Sequence, residues 1–172
     1  MFRFTFAAQY YVNHNILDCK VHTTVLLLGG NLGPVAAHFE KAERLLRPVL
    51  EIRDRSSIHR TAPWRMPGAP PFLNQAWCCR TRLAPNELLT KLQAVEQKLG
   101  RVPQTGAGYQ NRPLDIDIIF YEDRIMDEPG LKIPHPEMTR RHFVLAPMAE
   151  IVPNYPHPQL NKSVKTLLRE IE

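Results

Sequence analysis

Asp115 and Asp117 stand two residues apart in Arg112-Pro113-Leu114-Asp115-Ile116-Asp117-Ile118-Ile119-Phe120, a segment otherwise largely apolar. A β-strand alternates its faces with period two, so Leu114, Ile116, Ile118 and Phe120 are expected to face a core while both carboxylates project from the other side. Two like charges held together repel, and a shared divalent cation relieves them. Oxygen donors suit Mg²⁺, which keeps several waters, takes one or two protein carboxylates and lets substrate phosphates complete its shell. The segment alone fits a solvated acidic face better, since a strand with one wet side often carries alternating aspartates.

Phosphate chemistry on this chain has to work without a P-loop, because Gly-x-x-x-x-Gly-Lys-Ser/Thr is absent. Gly29-Gly30-Asn31-Leu32-Gly33 lacks the Gly-x-Gly-x-x-Gly spacing, and a tight strand-to-helix turn with Asn31 as a cap accounts for its glycines. Metal and side chains would hold the phosphates instead. The candidates are Arg101, Arg112, His135 and Arg141, each near the acidic pair or its flanking loops in sequence. Arginine offers a planar fork to phosphate oxygens and histidine one directed donor. Taken singly, each also suits a solvated surface.

The elements that must carry these groups can be read from periodicity. Thr23–Leu28 is a β-branched and aliphatic strand. After its Gly-rich turn, Pro34 opens a helix whose apolar stripe is Val35, Phe39, Ala42, Leu45 and Leu46. Val49–Thr61 reads as one long strand, and four prolines and a glycine between Ala62 and Pro71 exclude both helix and central strand. Phe72–Leu83 resumes a strand with Phe72, Asn74 and Ala76 on one face and Leu73 and Trp77 on the other. Pro85–Leu99 is a helix with Leu88, Leu89, Leu92, Val95 and Leu99 as its buried stripe, stopped by Gly100. Arg101–Asn111, glycine-bearing and poor in aliphatics, reads as a mobile lid leading into the acidic strand. Glu122-Asp123-Arg124 reads as a turn, Pro136 as the start of a short helix, and Ser163–Ile171 as a final amphipathic helix. The order βαββαβ predicts an α+β ferredoxin-like sandwich, a mostly antiparallel sheet flanked by helices.

Composition sets the bounds. The 172 residues, 44% hydrophobic, suffice for one domain, and a net charge of +5 suits an anionic ligand without the clustered basic face of a nucleic-acid binder. The three cysteines, Cys19, Cys78 and Cys79, are odd in number and lack metal spacing, which points to reduced thiols and a cytoplasmic protein. No apolar run reaches the roughly 20 residues that span a bilayer, so no membrane partner is expected. Met1–Lys20 matches neither a secretory signal nor an Arg-rich transit peptide. Residues 1–22 are taken as an extension of unknown role, and residues 23–172 as the single functional domain.

Taken together, several segments make the chain resemble the 6-hydroxymethyl-7,8-dihydropterin pyrophosphokinase family of folate biosynthesis. They are Leu28-Gly29-Gly30-Asn31-Leu32-Gly33, Arg60-Thr61-Ala62-Pro63, Phe72-Leu73-Asn74-Gln75-Ala76, Glu96 to Arg101, Arg112 to Ile119, Ile133-Pro134-His135-Pro136 and Arg141-His142-Phe143-Val144-Leu145-Ala146-Pro147. The match runs from about Val25 to Pro153. It implies pyrophosphoryl transfer from ATP to the pterin hydroxymethyl group, giving AMP and the pterin diphosphate. Asp115 and Asp117 would hold two Mg²⁺ ions, and Arg101 and Arg112 would be catalytic with them. Gln93, Glu96, Arg112, Ile118, His135 and Arg141 would bind ATP. Thr61, Ala62, Pro63, Trp64, Phe72, Asn74, Asp115 and Phe143 would bind the pterin, with the two phenylalanines sandwiching the ring and Asn74 reading its amide edge. The partners implied are these small molecules alone, met by a monomer.

The chain departs from the family pattern at Pro103, where a second arginine is usual, and at Tyr109, where tryptophan is common. Gln110-Asn111 replaces Gly-Pro, Gly130 stands where some members carry arginine, and Gly30 replaces a serine. Fewer loop cations imply weaker electrostatic help at closure and slower turnover. Two other functions compete. A two-metal phosphodiesterase would also use Asp-x-Asp with nearby arginines, water being its acceptor. An RNA-binding module would need basic and aromatic residues on the central strand that is acidic here.

Overall fold

A computed structural model describes residues 20–172 apart from Arg65 and residues 103–109. The expected N-terminal extension therefore lies almost wholly outside the described residues, as do most of the predicted lid, Pro103 and Tyr109. The main sheet has the order β2-β4-β1-β5, all neighbours antiparallel, with β1 His22–Gly30, β2 Leu50–Arg55, β4 Phe72–Thr81 and β5 Asp115–Tyr121. This is the strand order of a ferredoxin-like sandwich, as the element order predicts. β3, His59–Thr61, also pairs with β4, and β6 (Met126–Glu128) and β7 (Leu131–Ile133) form a separate ribbon.

One strand was expected over Val49–Thr61, and two are found. Ser56 interrupts them. It donates its N–H to Ala76 O at 3.0 Å, and its hydroxyl accepts the Ala76 N–H at 3.0 Å, so a side chain replaces one rung of the ladder. β2 and β3 thus lie end to end along β4.

Helices cover both faces. α1 (Val35–Leu46) and α2 (Pro85–Lys98) bury Phe39, Leu46, Leu88 and Leu92 against Leu26, Leu28, Trp77, Ile116 and Ile118. On the other face, α3 (His142–Ile151) and α4 (Val164–Arg169) bury Val144, Leu145, Met148 and Leu167 against Val25, Leu27, Ala76 and Ile119. The short helix expected from Pro136 begins later. A 3₁₀ turn at Met138–Arg140 precedes α3, and Pro136 stays in the turn before it. α4 starts at Ser163, whose hydroxyl accepts the Thr166 N–H at 3.3 Å.

Strict alternation along β5 fails at one point. Val25 pairs with Phe120 and Leu26 with Ile118, leaving Ile119 as the extra residue of a bulge. Phe120 consequently joins Ile119 under α3 and α4 instead of facing the core with Ile116 and Ile118. The carboxylates precede the bulge, so their shared direction is preserved. They lie on the α3/α4 face, opposite Leu27 and Gly29 of β1, at the end of the sheet that these helices leave open.

Candidate active site

β5 carries Asp115 and Asp117 onto one face, and the flanking segments bring cations to them. Arg112 Nη1 lies 2.9 Å from Asp115 Oδ2, while Arg101 pairs with the other oxygen of the same carboxylate. Arg101 also reaches Glu96 Oε2 at 2.6 Å, and Glu96 Oε1 accepts the Ile116 N–H at 2.6 Å. Glu96 is only 3% exposed, so it is no ordinary helix-surface residue. Burial raises its pKa, the Asp115 charge adds to that, and the Ile116 N–H and Arg101 oppose it. Burial lowers the Arg101 pKa, but Asp115 and Glu96 more than offset it, giving a net rise.

Asp117 forms no ion pair among the described residues. Burial pushes its carboxyl up to about 7, with the neighbouring Asp115 as the second cause. The pair is therefore not a plain solvated face: Asp115 is clamped by two arginines, and at Asp117 burial and the Asp115 charge outweigh the opposing charges of Arg112 and Arg101. Among the described residues no group of three or more His, Cys, Asp or Glu could hold a metal. Two carboxylates open to a ligand side are the donor set of Mg²⁺ completed by waters and phosphate oxygens, and a cation there would offset the burial and the Asp115 repulsion that raise the Asp117 carboxyl.

The carboxylates floor a pocket. Phe72 and Asn74 from β4, Thr61 and Trp64 from β3 and its following loop, and Phe143 from α3 wall it. Asn74, 3% exposed, donates from Nδ2 to Thr61 Oγ1 at 2.9 Å, which fixes its amide plane. The Trp64 and Phe143 rings are tilted at 6.2 Å, and the guanidinium groups of Arg112 and Arg141 lie 5.8 Å and 5.7 Å from the Phe72 and Phe143 ring centroids. About 50 Å³ of free space remains between these side chains. Among the described residues, Arg112 Nε is buried without a hydrogen-bond partner, a donor available to a ligand oxygen.

The residues read from the sequence divide into those the fold gathers and those it does not. Ala62 lines the pocket with Thr61 and Trp64, whereas Pro63 does not. His135 lies half-buried, its Nδ1 accepting the Glu137 N–H at 3.3 Å; burial lowers its pKa, with the Arg141 charge as the next cause. Arg141 lines the same pocket. Ile118 turns its side chain into the opposite core, so its backbone alone could meet a nucleotide. Gln93 is exposed one turn before Glu96, with no side-chain hydrogen bond among the described residues.

Sequence reasoning missed what holds the site together. Asn31 is not the cap of α1. Its N–H and that of Leu32 donate to Arg112 O at 2.9 and 3.2 Å, its Oδ1 accepts the Arg112 N–H at 3.0 Å, and its Nδ2 reaches Asn111 Oδ1 at 2.7 Å and Pro70 O at 3.3 Å. Gly30 lies in the strand, not the turn, and a Cβ there would stand 2.6 Å from Pro113 O. Serine would force that carbonyl away, so glycine at this position lets the Arg112-Pro113 segment sit against β1. Gly130, φ +83, closes the β6-β7 ribbon, where its conformation favours glycine over arginine.

The profile of the 7,8-dihydro-6-hydroxymethylpterin-pyrophosphokinase (HPPK) family matches residues 25–153, three-quarters of the chain and the whole of this pocket. The chain belongs to that family. A 2-amino-4-hydroxy-6-hydroxymethyldihydropteridine pyrophosphokinase of Synechocystis is 39% identical over 155 residues, covering 89% of this chain and 78% of the relative. One from Aquifex aeolicus is 36% identical over 143 residues, covering 83% and 88%. Among solved structures, a Plasmodium falciparum HPPK-DHPS has a TM-score of 0.73 at 18% identity and covers 90% of this chain but 46% of its own, a likeness of fold alone. As an HPPK, the chain is an enzyme that transfers pyrophosphate from ATP to hydroxymethyl-dihydropterin in folate biosynthesis, and the hydrolase reading is not favoured. Among the described residues no helix is long and apolar enough to cross a membrane.

Proposed function

We propose that the HPPK reaction runs in this pocket with the pterin ring between Phe72 and Phe143 and its hydroxymethyl group directed at Asp115 and Asp117. The observation that carries this reading is the meeting, on one open end of the sheet, of an aromatic slot, a fixed carboxamide and a carboxylate pair. A flat heterocycle gains from aromatic faces, and the Asn74 amide can both accept from and donate to its edge. Two Mg²⁺ ions held by Asp115 and Asp117 would neutralise charge on the transferred phosphates and ease loss of the hydroxyl proton.

The residues do the rest. The pterin oxygen attacks the β-phosphorus of ATP, the bond from that phosphorus to the oxygen bridging it to the α-phosphorus breaks, and AMP leaves. Arg101 and Arg112, which grip Asp115 in the ligand-free arrangement, can turn their forks to phosphate oxygens once cations replace them there. His135 and Arg141 supply donors from the segment leading into α3, while Glu96 acts by holding Arg101. Residues 23–172 are read as one domain, since both hydrophobic layers share one sheet, and the enzyme as a cytoplasmic monomer with Cys78 and Cys79 as free thiols.

The test is AMP release in the presence of ATP, Mg²⁺ and 6-hydroxymethyl-7,8-dihydropterin. Formation of AMP and pterin diphosphate, abolished in Asp115→Ala and Asp117→Ala, supports the site. Unimpaired turnover in both variants would overturn it.

A further inference from the structure

Glu150, in the last turn of α3, receives three hydrogen bonds from the break between β2 and β3. Its Oε2 accepts the Ser57 N–H at 2.7 Å, and its Oε1 accepts the Ser57 hydroxyl at 2.8 Å and His59 Nε2 at 2.5 Å. Burial raises the pKa of this carboxyl, but the Ser57 and His59 donors outweigh it, and the net shift is downward. The group is a carboxylate, and it is aimed.

What it is aimed at matters for the pocket. His59 stands directly across from Asn74 in the β3-β4 register, and Thr61 across from Phe72, so β3 delivers the edge-reading side of the slot. α3 delivers the other side through Phe143. Seven residues separate Phe143 from Glu150, two helical turns, so both side chains leave nearly the same face of α3 at about 10 Å spacing along the axis. Between them α3 meets the sheet through Val144, Leu145 and Met148, an apolar contact that resists separation but carries no directional bond against rotation. A rotation of roughly 20° about the axis would carry a ring at about 5 Å radius through almost 2 Å. Misplacement on that scale is enough to cost stacking and reactivity.

We propose that Glu150, through Ser57 and His59, is a positioning residue for the pterin: it fixes the rotation of α3 against β3 and so the width of the slot between Phe143 and Phe72. The inference rests on the reading of that slot as the pterin site. Glu150 and His59 are 39% and 25% exposed in their side chains, so this latch adds little to global stability, and its removal should be felt in the slot.

The experiment measures, on the full chain, the affinities of a pterin analogue and of a non-hydrolysable ATP analogue with Mg²⁺, together with melting temperature, for Glu150→Ala, Glu150→Gln and Phe143→Ala. Glu150→Ala is expected to weaken pterin about tenfold and raise its KM, with nucleotide affinity held within about twofold. Glu150→Gln keeps acceptor oxygen for Ser57 and is expected to recover much of that loss. If Phe143→Ala weakens pterin while Glu150→Ala leaves it unchanged, or weakens both substrates alike, the latch is overturned and the slot stands. If neither variant affects pterin, both readings fall. Should Glu150→Ala not fold, Ser57→Ala and His59→Phe each remove one donor, and the same selective loss of pterin affinity decides the matter.

Discussion

Asn31 and Arg112 exchange hydrogen bonds across the junction of β1 and the segment before β5: Asn31 N–H to Arg112 O at 2.9 Å, and Arg112 N–H to Asn31 Oδ1 at 3.0 Å. The exchange seats the arginine that grips Asp115, and the same amide ties down Pro70 O and Asn111.

Asn31→Ala is therefore expected to lower stability by about 2 kcal/mol through lost side-chain bonds and to reduce kcat/KM by roughly tenfold or more through a misplaced Arg112. Urea denaturation and steady-state kinetics check both. Gly30→Ala, with a Cβ driven toward Pro113 O, is expected to cost about 1–3 kcal/mol without removing any hydrogen-bonding group.

Asp117→Asn is expected to fold and to lose Mg²⁺-dependent turnover by about 10³-fold or more, because the neutral amide keeps shape but not charge. Removing divalent metal with a chelator should abolish parent activity and leave the far-UV circular dichroism unchanged. A parent enzyme that still released AMP from ATP and pterin without divalent metal would contradict the role given to the carboxylate pair.

Glu96 separates structure from catalysis. Glu96→Ala strands the Ile116 N–H and is expected to cost about 1–3 kcal/mol. Glu96→Gln keeps an acceptor for that N–H while weakening the hold on Arg101, so stability should largely return while kcat stays depressed. Equal recovery of both would show that Arg101 needs no positioning by Glu96.

His157 supplies a pH dependence remote from the chemistry. It is buried, its Nδ1 accepts the N–H groups of Gln159 and Leu160 at 3.3 Å each, and its ring sits edge-on to Phe120. Burial lowers its pKa from the ordinary 6.5. The unfolded chain then takes up the proton first, so the stability present above pH 6.5 is lost as pH falls through the depressed folded value. Urea midpoints should drop between neutral and mildly acidic pH. His157→Gln should flatten the part of that slope due to this residue, leaving the part due to His135, whose pKa is lowered in the same sense.

Much of this enzyme is written locally. The period-two run at Asp115 and Asp117, the helical stripes of α1 and α2, and the proline-dense loop before Phe72 are properties of neighbouring residues, and local pattern is what a sequence displays. The family match rests on the same short motifs. Three features escaped. Ser56 breaks one strand into two because it meets Ala76, the Ile119 bulge sends Phe120 to the other face because of its pairing with Val25, and Asn31 clamps a segment about eighty residues away instead of capping its own helix. Each depends on a partner distant in the chain, and no periodicity encodes which distant backbone a side chain will find.

The sequence by itself determined the chemistry available, two carboxylates on one strand face with arginines, aromatics and an amide to serve them. Only the tertiary structure decided how those groups stand before a ligand arrives: Asp115 bound by both arginines, Asp117 half-buried beside it with no direct ion pair among the described residues, and Glu96 enclosed as the brace of Arg101. The reason is physical. Charge pairing and desolvation depend on distance and burial in three dimensions, and both are set when β5, α2 and the segment before β5 pack together.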